Sequence, residues 1–267
     1  MARWSDSLSV WLGTALATGI GSWGCIPHTG HSSAWPNEPA GATVFNDWGF
    51  DQQLPPTAAD QRIPGSPGWN VIYNAAAGSV GSGVFLVREP GAPFSRPNVY
   101  RFMFAQGFPA GVGPGNVYHA ISTSRVYVAF WWRISNPWTT TTAAQKVLYL
   151  MDGASNIVLD MQSSNDPFYI RWVIDGTEYL GDLTYDIHRG TWYRFEILAD
   201  LGAKTMKWWI YDPLVDAAPV LIGNKTGVAY ATRSIKEVAV NPTYGGDGSP
   251  AIQDQFFEYD HIHISTW

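Results

Sequence analysis

The stretch TWYRFEILADLGAKTMKWWIYDP, residues 191–213, decides the fold. Apolar and polar side chains alternate along its first half, so Tyr193 and Phe195 share one face of a predicted strand. A turn at Gly202 leads into a second alternating run, which contains Trp208. The stretch therefore predicts a β-hairpin that lies in a sheet with one buried face and one solvated face.

The composition extends this prediction to the whole chain. The 267 residues include 27 Gly, 18 Pro and 14 Trp, and only 14% of them are charged. Glycine and proline separate most of the predicted strands, and no helix of more than two turns is predicted. A β-sandwich can hold about 200–250 residues in one domain. We therefore expect one all-β sandwich of about a dozen antiparallel strands.

The charge and the cysteine content exclude several classes of protein. A net charge of −6 and the lack of a basic run argue against nucleic acid or an anionic membrane as the partner. Cys25 is the single cysteine, so the chain has no internal disulfide framework. The fold must be held together by its core.

The N-terminus has the pattern of an export signal. Residues 8–24 are apolar or small and follow Arg3, and Gly24 stands directly before Cys25. The segment resembles a bacterial lipoprotein signal, in which the cysteine becomes the lipidated first residue. An ordered N-terminal segment with a buried free thiol is the alternative.

This interpretation divides the chain into three parts. Residues 1–24 are predicted to be an export signal, residues 25–40 a flexible linker and residues 41–267 the folded domain. The protein is expected outside the cell or at its surface, with membrane contact only through a lipid on Cys25. The thiol and two imidazoles of CIPHTGH have a spacing that suits a metal, but a fourth ligand is not evident, which favours a solvated linker.

Several motifs resemble the concanavalin A-like lectin and glucanase superfamily. They are WPNEPAG at 35–41, VYVAFWWRISNPW at 126–138, GTWYRFEI at 190–197, KWWIYDP at 207–213, NPTYGGDG at 241–248 and YDHIHIS at 259–265. The resemblance implies a jelly roll of two antiparallel sheets. Because this superfamily includes lectins, carbohydrate-binding modules, glycoside hydrolases and polysaccharide lyases, it implies sugar binding more than one particular reaction.

Side-chain chemistry also favours a polysaccharide partner. Sugar rings stack on Trp and Tyr, and their hydroxyls need planar polar partners. On the strand through residues 127–133, Trp131 and Arg133 are expected to form an exposed pair, with burial of both neighbouring tryptophans as the alternative. The further candidate ligand-binding residues on strands are Arg101, Lys146, Asp160, Gln162 and Tyr169.

Some of these residues could together form a binding groove on a concave sheet. A groove with Arg133, Lys146, Tyr149, Gln162 and Arg171 would suit a polymer of uronic acids. Pairing of opposite charges on neighbouring strands, such as Asp160 with Arg171, is the alternative.

A lyase would need a cation beside the uronate carboxyl, a base and an acid. Arg133, Arg171 and Gln162 are the candidate partners of the carboxyl. Tyr149, Tyr118 and His119 are candidate proton carriers, together with the histidines at 188, 261 and 263. The motifs that mark alginate-lyase relatives of this fold are absent, so the resemblance carries no catalytic residue over.

Other chemistries have weaker support. Glu258 and Asp260 are the best carboxylate couple for glycoside hydrolysis, although they match the closing strand of the fold better than a catalytic motif. No GxSxG, HExxH or phosphate-binding glycine motif occurs. Glycine-rich loops at 151–156 and 244–254 could hold a structural Ca²⁺, but turn chemistry explains them as well and is favoured. No cofactor is otherwise expected.

The sequence therefore predicts an exported, lectin-like protein that binds polysaccharide on an aromatic-rich sheet. A polysaccharide lyase that acts on a uronate polymer is the alternative. A structural or assembly protein, which would use the aromatic surface to bind protein neighbours, is a further alternative.

Overall fold

Sixteen strands run through the residues that the computed structural model describes, which are 34–50, 61–62, 68–74, 77–78, 80–139, 144–152, 156–162, 167–246 and 248–267. The predicted export signal and Cys25 lie outside these residues. No helix in the described ranges is long and apolar enough to cross a membrane.

The strands and their bounds, in chain order, are β1 Thr43–Trp48, β2 Gln61–Arg62, β3 Trp69–Tyr73, β4 Gly83–Arg88, β5 Asn98–Phe104, β6 Gly115–Thr123, β7 Arg125–Ile134, β8 Gln145–Met151, β9 Asn156–Gln162, β10 Tyr169–Ile174, β11 Thr177–Leu180, β12 Tyr193–Asp200, β13 Thr205–Tyr211, β14 Val220–Thr226, β15 Ile235–Val240 and β16 Gln255–Thr266.

These strands form two sheets of eight strands each. Sheet A has the order β14-β13-β12-β7-β16-β5-β4, and β1 pairs with β16 beside this path. Sheet B has the order β11-β10-β9-β8-β15-β6-β3-β2. The pairings are antiparallel in both sheets. The predicted all-β jelly-roll sandwich of two antiparallel sheets is therefore confirmed.

The core lies between the two sheets and is built by alternation along the strands. On β7, Val128, Phe130 and Trp132 point into the core. The ring of Trp132 packs edge-on against Phe195 of β12 and Phe257 of β16, at centroid distances of 5.6 and 5.2 Å. The predicted division of β7 into two faces is confirmed.

The predicted hairpin is also confirmed, but the prediction of a solvated face is wrong for its first strand, where Arg194 and Glu196 are buried. Strands β12 and β13 pair from Arg194 opposite Tyr211 to Asp200 opposite Thr205. The side chain of Asp200 closes the turn by accepting a 2.8 Å hydrogen bond from the backbone N–H of Ala203. A short polar residue that bonds to the backbone in this way stabilises a tight turn.

Residues 35–48 form a segment that we call the N-terminal strap. Its first part packs against the outer face of sheet A, and its last part joins the sheet as β1, which pairs with β16. Trp35 is 1% exposed, and its ring stacks on His263 at 5.5 Å. The backbone and side-chain amides of Asn37 donate to Glu196 at 3.1 and 3.0 Å. The linker interpretation is therefore wrong from Trp35 onward, because burial of this indole and the bonds of Asn37 tie the segment to the sheet.

Candidate functional site

The structure distributes the predicted site residues over both sheets. Arg101, Trp131 and Arg133 lie on sheet A, whereas the other candidates lie on sheet B. In a sandwich, the outer faces of the two sheets point in opposite directions. The predicted groove that combines Arg133 with Lys146 and Arg171 is therefore wrong.

The arginines on sheet A are held by one buried carboxylate. Glu258 has no exposed surface, and it accepts hydrogen bonds from Arg101 Nε at 2.8 Å and from Arg133 Nε at 2.6 Å. Arg133 also forms an ion pair with Glu89 at 2.5 Å. Both guanidinium groups thus hold neighbouring parts of the fold together.

Trp131 is 5% exposed, so the expectation of an exposed ring is wrong. Arg194 of β12 lies close to two rings, 5.7 Å from the centroid of Trp131 and 4.8 Å from that of Tyr211. Trp132 is fully buried on the opposite face of the same strand. The alternative, in which both tryptophans are buried, agrees with the structure.

Both carboxylates of the predicted couple on β16 accept hydrogen bonds from other parts of the fold. Asp260 has no exposed surface and accepts backbone hydrogen bonds from Phe94 at 2.7 Å and Ser95 at 2.9 Å. Glu258 is shared by two arginines. Neither carboxylate is therefore placed to act on a glycosidic bond.

His119 points toward the interior of the sandwich. It lies opposite Val238, which belongs to the core, and its ring is 5.3 Å from Trp69. The next residue, Ala120, lies on the outer face. The proposed combination of His119 with Tyr149 and Arg171 is wrong, because the imidazole lies on the other side of sheet B.

The outer face of sheet B brings the remaining candidates together. Arg171, Asp160 and Lys146 lie side by side on β10, β9 and β8. Asp160, which is fully buried, accepts from Arg171 Nε at 2.9 Å and from Lys146 Nζ at 3.2 Å. Gln162 lies opposite Tyr169 on the same face. The pairing of Asp160 with Arg171 that the sequence offered as an alternative is therefore present.

Two tyrosines continue this face toward the centre of sheet B. Tyr149 and Tyr118 lie on either side of Ala239, on β8, β6 and β15. Both phenols are half-buried, whereas Ala239 has no exposed surface. The two rings therefore flank Ala239 and cover it. Burial raises the pKa of Tyr149, and the charge of Asp160 raises it further, so this phenol keeps its proton at neutral pH.

A polar cavity adjoins Tyr149, and we call it the amide cavity. It has a volume of about 290 Å³, and its lining includes Asn74, Asn116, Asn241 and Thr243. The hydroxyl of Thr243 lies 3.5 Å from that of Tyr149. The cavity and the two tyrosines thus form one continuous surface. We call this surface the sheet B face, and it also includes Lys146, Asp160, Gln162, Tyr169 and Arg171.

Glycine is needed at one edge of the amide cavity. A Cβ atom on Gly113 would lie 2.5 Å from the carbonyl oxygen of Pro242 and 2.8 Å from Asn241 Oδ1. Such contacts are far shorter than van der Waals distances. A side chain at this position would therefore displace the segment that carries Asn241.

Asn116, which lines the amide cavity, has an unsatisfied polar atom. Asn116 Oδ1 and the neighbouring Glu237 Oε1 are buried and have no hydrogen-bond partner. Burial raises the pKa of Glu237, although a hydrogen bond with Asn116 opposes this shift. Buried polar atoms are nearly always paired in proteins, so an unpaired one beside a cavity needs an explanation.

The sequence analysis missed the asparagines of this cavity. Asn116 lies within β6. Asparagine is depleted in strands, so its presence at an outward-facing strand position was the available signal. Asn74 and Asn241 follow the last residues of β3 and β15, and only the strand pairing brings them together.

Metal ligation has no support in the parts of the chain that the structure describes. Those residues contain no group of three or more His, Cys, Asp or Glu side chains that could hold a metal ion. The loops at 151–156 and 244–254 each include residues outside the described ranges, so a structural Ca²⁺ there stays a prediction.

No protein-family model and no curated protein matches the sequence. Similar solved structures include alginate lyase vAL-1 from a Chlorella virus, with 10% identity, a TM-score of 0.49 and coverage of 76% of this chain and 95% of that one. Alginate lyase Aly36B has 14% identity and a TM-score of 0.48, with coverage of 71% and 88%.

A third similar structure is the cellulose-induced protein Cip1, with 17% identity, a TM-score of 0.47 and coverage of 69% of this chain and 85% of that one. At such identities these structures indicate neither a ligand nor a reaction for this chain, and the assignment of a site depends on the geometry of the sheet B face.

Proposed function

We propose that this protein binds polysaccharide on the sheet B face and does not cleave it. The observation that carries the proposal is the amide cavity beside Tyr149, where three asparagines and a threonine surround a space of about 290 Å³. Amide and hydroxyl groups both donate and accept hydrogen bonds, as sugar hydroxyls do. A small rotation of the Asn116 amide would present its unpaired oxygen to a sugar hydroxyl in the cavity.

The tyrosines supply the apolar part of a sugar site. A pyranose ring offers a C–H face that packs on an aromatic ring, and Tyr149 and Tyr118 stand on either side of Ala239. From β3 to β10 the face crosses five strand spacings, or about 24 Å. This length suits several sugar units of a chain better than a single sugar.

The charges of the face favour a neutral polymer. Lys146 and Arg171 both pair with Asp160, and Arg171 also pairs with Glu178. The two cations are therefore balanced by two carboxylates. A uronate would have to compete with these ion pairs, whereas a neutral sugar can bond to the same groups without breaking them.

Two observations speak against the lyase alternative. The phenol of Tyr149 has a raised pKa and is a poor base near neutral pH. His119 lies inside the sandwich. Neither Tyr149 nor His119 is therefore placed and poised to remove a proton from a sugar on this face.

The test uses the purified full chain with cellulose, xylan, a β-glucan, alginate and pectate. Retention is measured by pull-down and by affinity electrophoresis, and absorbance at 235 nm reports unsaturated products. We expect at least one neutral polymer to retain the protein without product. Retention of none would overturn the proposal, and a rise at 235 nm would replace it with the lyase alternative.

Variants locate the binding surface. Asn116→Ala and Tyr149→Ala should each weaken binding about tenfold, which corresponds to about 1.4 kcal/mol. Asn224→Ala is the matched control, because Asn224 is exposed on β14 of sheet A. Equal binding by the wild type and both sheet B variants would show that the binding site lies elsewhere. Self-association with rising concentration, measured by sedimentation, would favour an assembly role instead.

We also propose that the protein is exported and carries a lipid on Cys25. The lipoprotein-like segment before this cysteine supports the proposal. Mass spectrometry of protein extracted from membranes should find a chain that begins at a lipidated Cys25. A chain with an unmodified Met1 would contradict it.

A further inference from the structure

A serine, a histidine and an aspartate form a connected chain of hydrogen bonds at one end of sheet A. Ser95 Oγ lies 2.5 Å from His261 Nδ1. The other ring nitrogen of His261, Nε2, bonds to Asp47 Oδ1. A nucleophile in contact with a base, and a base in contact with a carboxylate, is the arrangement that activates a serine hydroxyl.

The fold places His261 there by an irregularity in β16. The pairing of β16 with β7 shifts between Asp260 and Ile262, and His261 has a φ of 55°. This bulge turns the side chain of His261 to the outer side of sheet A. A residue other than glycine adopts such a conformation at a cost, and such residues concentrate at functional sites.

Ser95 is held in position by its backbone. Its N–H group and that of Phe94 both donate to the buried carboxylate of Asp260, at 2.9 and 2.7 Å. The segment that carries Ser95 is thus fixed to β16 directly beside His261. The serine side chain also bonds to Asp260, and this contact lowers the pKa of that carboxyl against the raising effect of burial.

Asp47 is kept in the ionised form that a positioning carboxylate needs. Burial opposes ionisation, but the hydrogen bonds from His261 and His263 lower the pKa of Asp47. An ionised carboxylate only accepts hydrogen bonds, so His261 carries its proton on Nε2. Its Nδ1 is then free to accept the proton of Ser95.

Gly49 packs directly against this pair. A Cβ atom on Gly49 would lie 2.9 Å from Ser95 Oγ and 3.5 Å from His261 Nδ1. A carbonyl carbon needs a position about 3 Å from the nucleophile. Ser95 is partly exposed, so an ester must reach its Oγ from the solvent and not from the side of residue 49.

We propose that Ser95, His261 and Asp47 form a hydrolytic site for carboxylic esters. Ser95 Oγ attacks the ester carbonyl carbon while its proton moves to His261 Nδ1, and Asp47 stabilises the resulting imidazolium through Nε2–H. The ester C–O bond breaks, and the leaving alcohol takes the proton from Nδ1. A water molecule then hydrolyses the acyl group from Ser95 by the same proton transfers and releases a carboxylic acid.

The surroundings favour a short acyl group. The rings of Phe94 and Trp35 lie 4.6 and 5.6 Å from the His261 ring, and Gly49 packs closely against Ser95. The N–H groups of Phe94 and Ser95 are engaged by Asp260, so they do not stabilise an oxyanion. Since one oxyanion donor contributes about 10²–10³-fold in rate, turnover should be slow.

The experiment treats the purified full chain with a fluorophosphonate probe and with p-nitrophenyl acetate. The probe should form a bond from phosphorus to Ser95 Oγ with loss of fluoride, located by peptide mass mapping. The protein should hydrolyse p-nitrophenyl acetate faster than buffer alone does. Absence of a label on Ser95, or equal labelling of many serines, would overturn the proposal.

Variants separate the chemistry from folding. Ser95→Ala should abolish the label and the ester turnover while keeping the backbone bond to Asp260. Gly49→Ala should slow both, because its methyl group would lie 2.9 Å from Ser95 Oγ and would displace the hydroxyl from His261. His261→Asn, which tolerates a positive φ, should slow labelling by about 10²-fold or more. Ser124→Ala is the control on an exposed serine and should react like the wild type.

Circular dichroism verifies that each variant is folded. Unchanged labelling in folded Gly49→Ala and His261→Asn would contradict the proposal.

Discussion

The outer faces of the two sheets carry similar side chains and use them differently. On sheet A, Glu196, Glu258 and Asp260 are fully buried and hold the N-terminal strap, two arginines and the segment with Ser95. On sheet B, Lys146 keeps 29% of its side chain exposed, and the tyrosine rings are half-buried beside a cavity. These three carboxylates of sheet A therefore maintain the fold, whereas Lys146 and the tyrosines of sheet B remain available to a ligand.

The difference arises from segments that are distant in the sequence. Asn37 and Glu196 bond across 159 residues. Both sheets alternate apolar and polar residues along their strands, so the strand pattern alone does not distinguish a covered face from an open one. Because residues of the strap pack on the outer face of sheet A, the charged side chains of that face form hydrogen bonds within the fold.

The largest effect is expected from a carboxylate of sheet A. Glu258→Ala removes the acceptor shared by Arg101 and Arg133, and the loss of one partner from a buried ion pair costs about 3–5 kcal/mol. The measurement is urea unfolding followed by tryptophan fluorescence.

Glu178→Ala is the matched variant on sheet B. It removes a partner of Arg171, but the Glu178 side chain is 52% exposed. An exposed ion pair contributes less than about 1 kcal/mol. Equal losses of stability in the two variants would show that the two faces do not differ in the way described.

A smaller loss of stability is expected from the buried indole of sheet A. Trp131→Ala should lower the free energy of unfolding by about 3 kcal/mol, the lower end for loss of a large aromatic side chain, because the ring lies outside the central core. Binding of polysaccharide should be unchanged. The opposite result, weakened binding with unchanged stability, would place the ligand on sheet A.

Local pattern was enough to predict much of this fold. Alternation gave the hairpin of β12 and β13 and the two faces of β7, because each depends on residues that are close in sequence. The pairing of Asp160 with Arg171 was also foreseeable as a contact between opposite charges on neighbouring strands. These features are fixed by strand geometry alone.

The candidate sites required the tertiary structure. Tyr118 and His119 are adjacent and both polar, so the alternation of β6 does not show which one faces inward, and a shift of one residue exchanges the faces. The bulge at His261 reverses the alternation of β16 without a sequence signal. Asn74 and Asn116 come together only when β3 pairs with β6.

The smallest expected effect is a pH dependence of the strap. His263 bonds to Glu38 at 2.8 Å and to Asp47 at 3.1 Å, and it is faced by the rings of Tyr127 and Trp35. Burial would lower its pKa, but the two carboxylates raise it above the ordinary value of 6.5. A group whose pKa is raised by folding contributes its full stabilisation at pH values below its pKa in the unfolded state. This stabilisation is lost as the pH rises through the pKa of the group in the folded state.

The free energy of unfolding should therefore decrease between pH 6.5 and pH 9. Asp47 does not affect this range, because its pKa is lowered and the stability that it contributes is lost only in acid. Glu38→Gln removes one of the charges that raise the pKa of His263, so this decrease should become smaller. Glu237→Gln on sheet B is the control and should leave it intact. A decrease of equal size in the wild type and in Glu38→Gln would show that the strap is not held by a protonated His263.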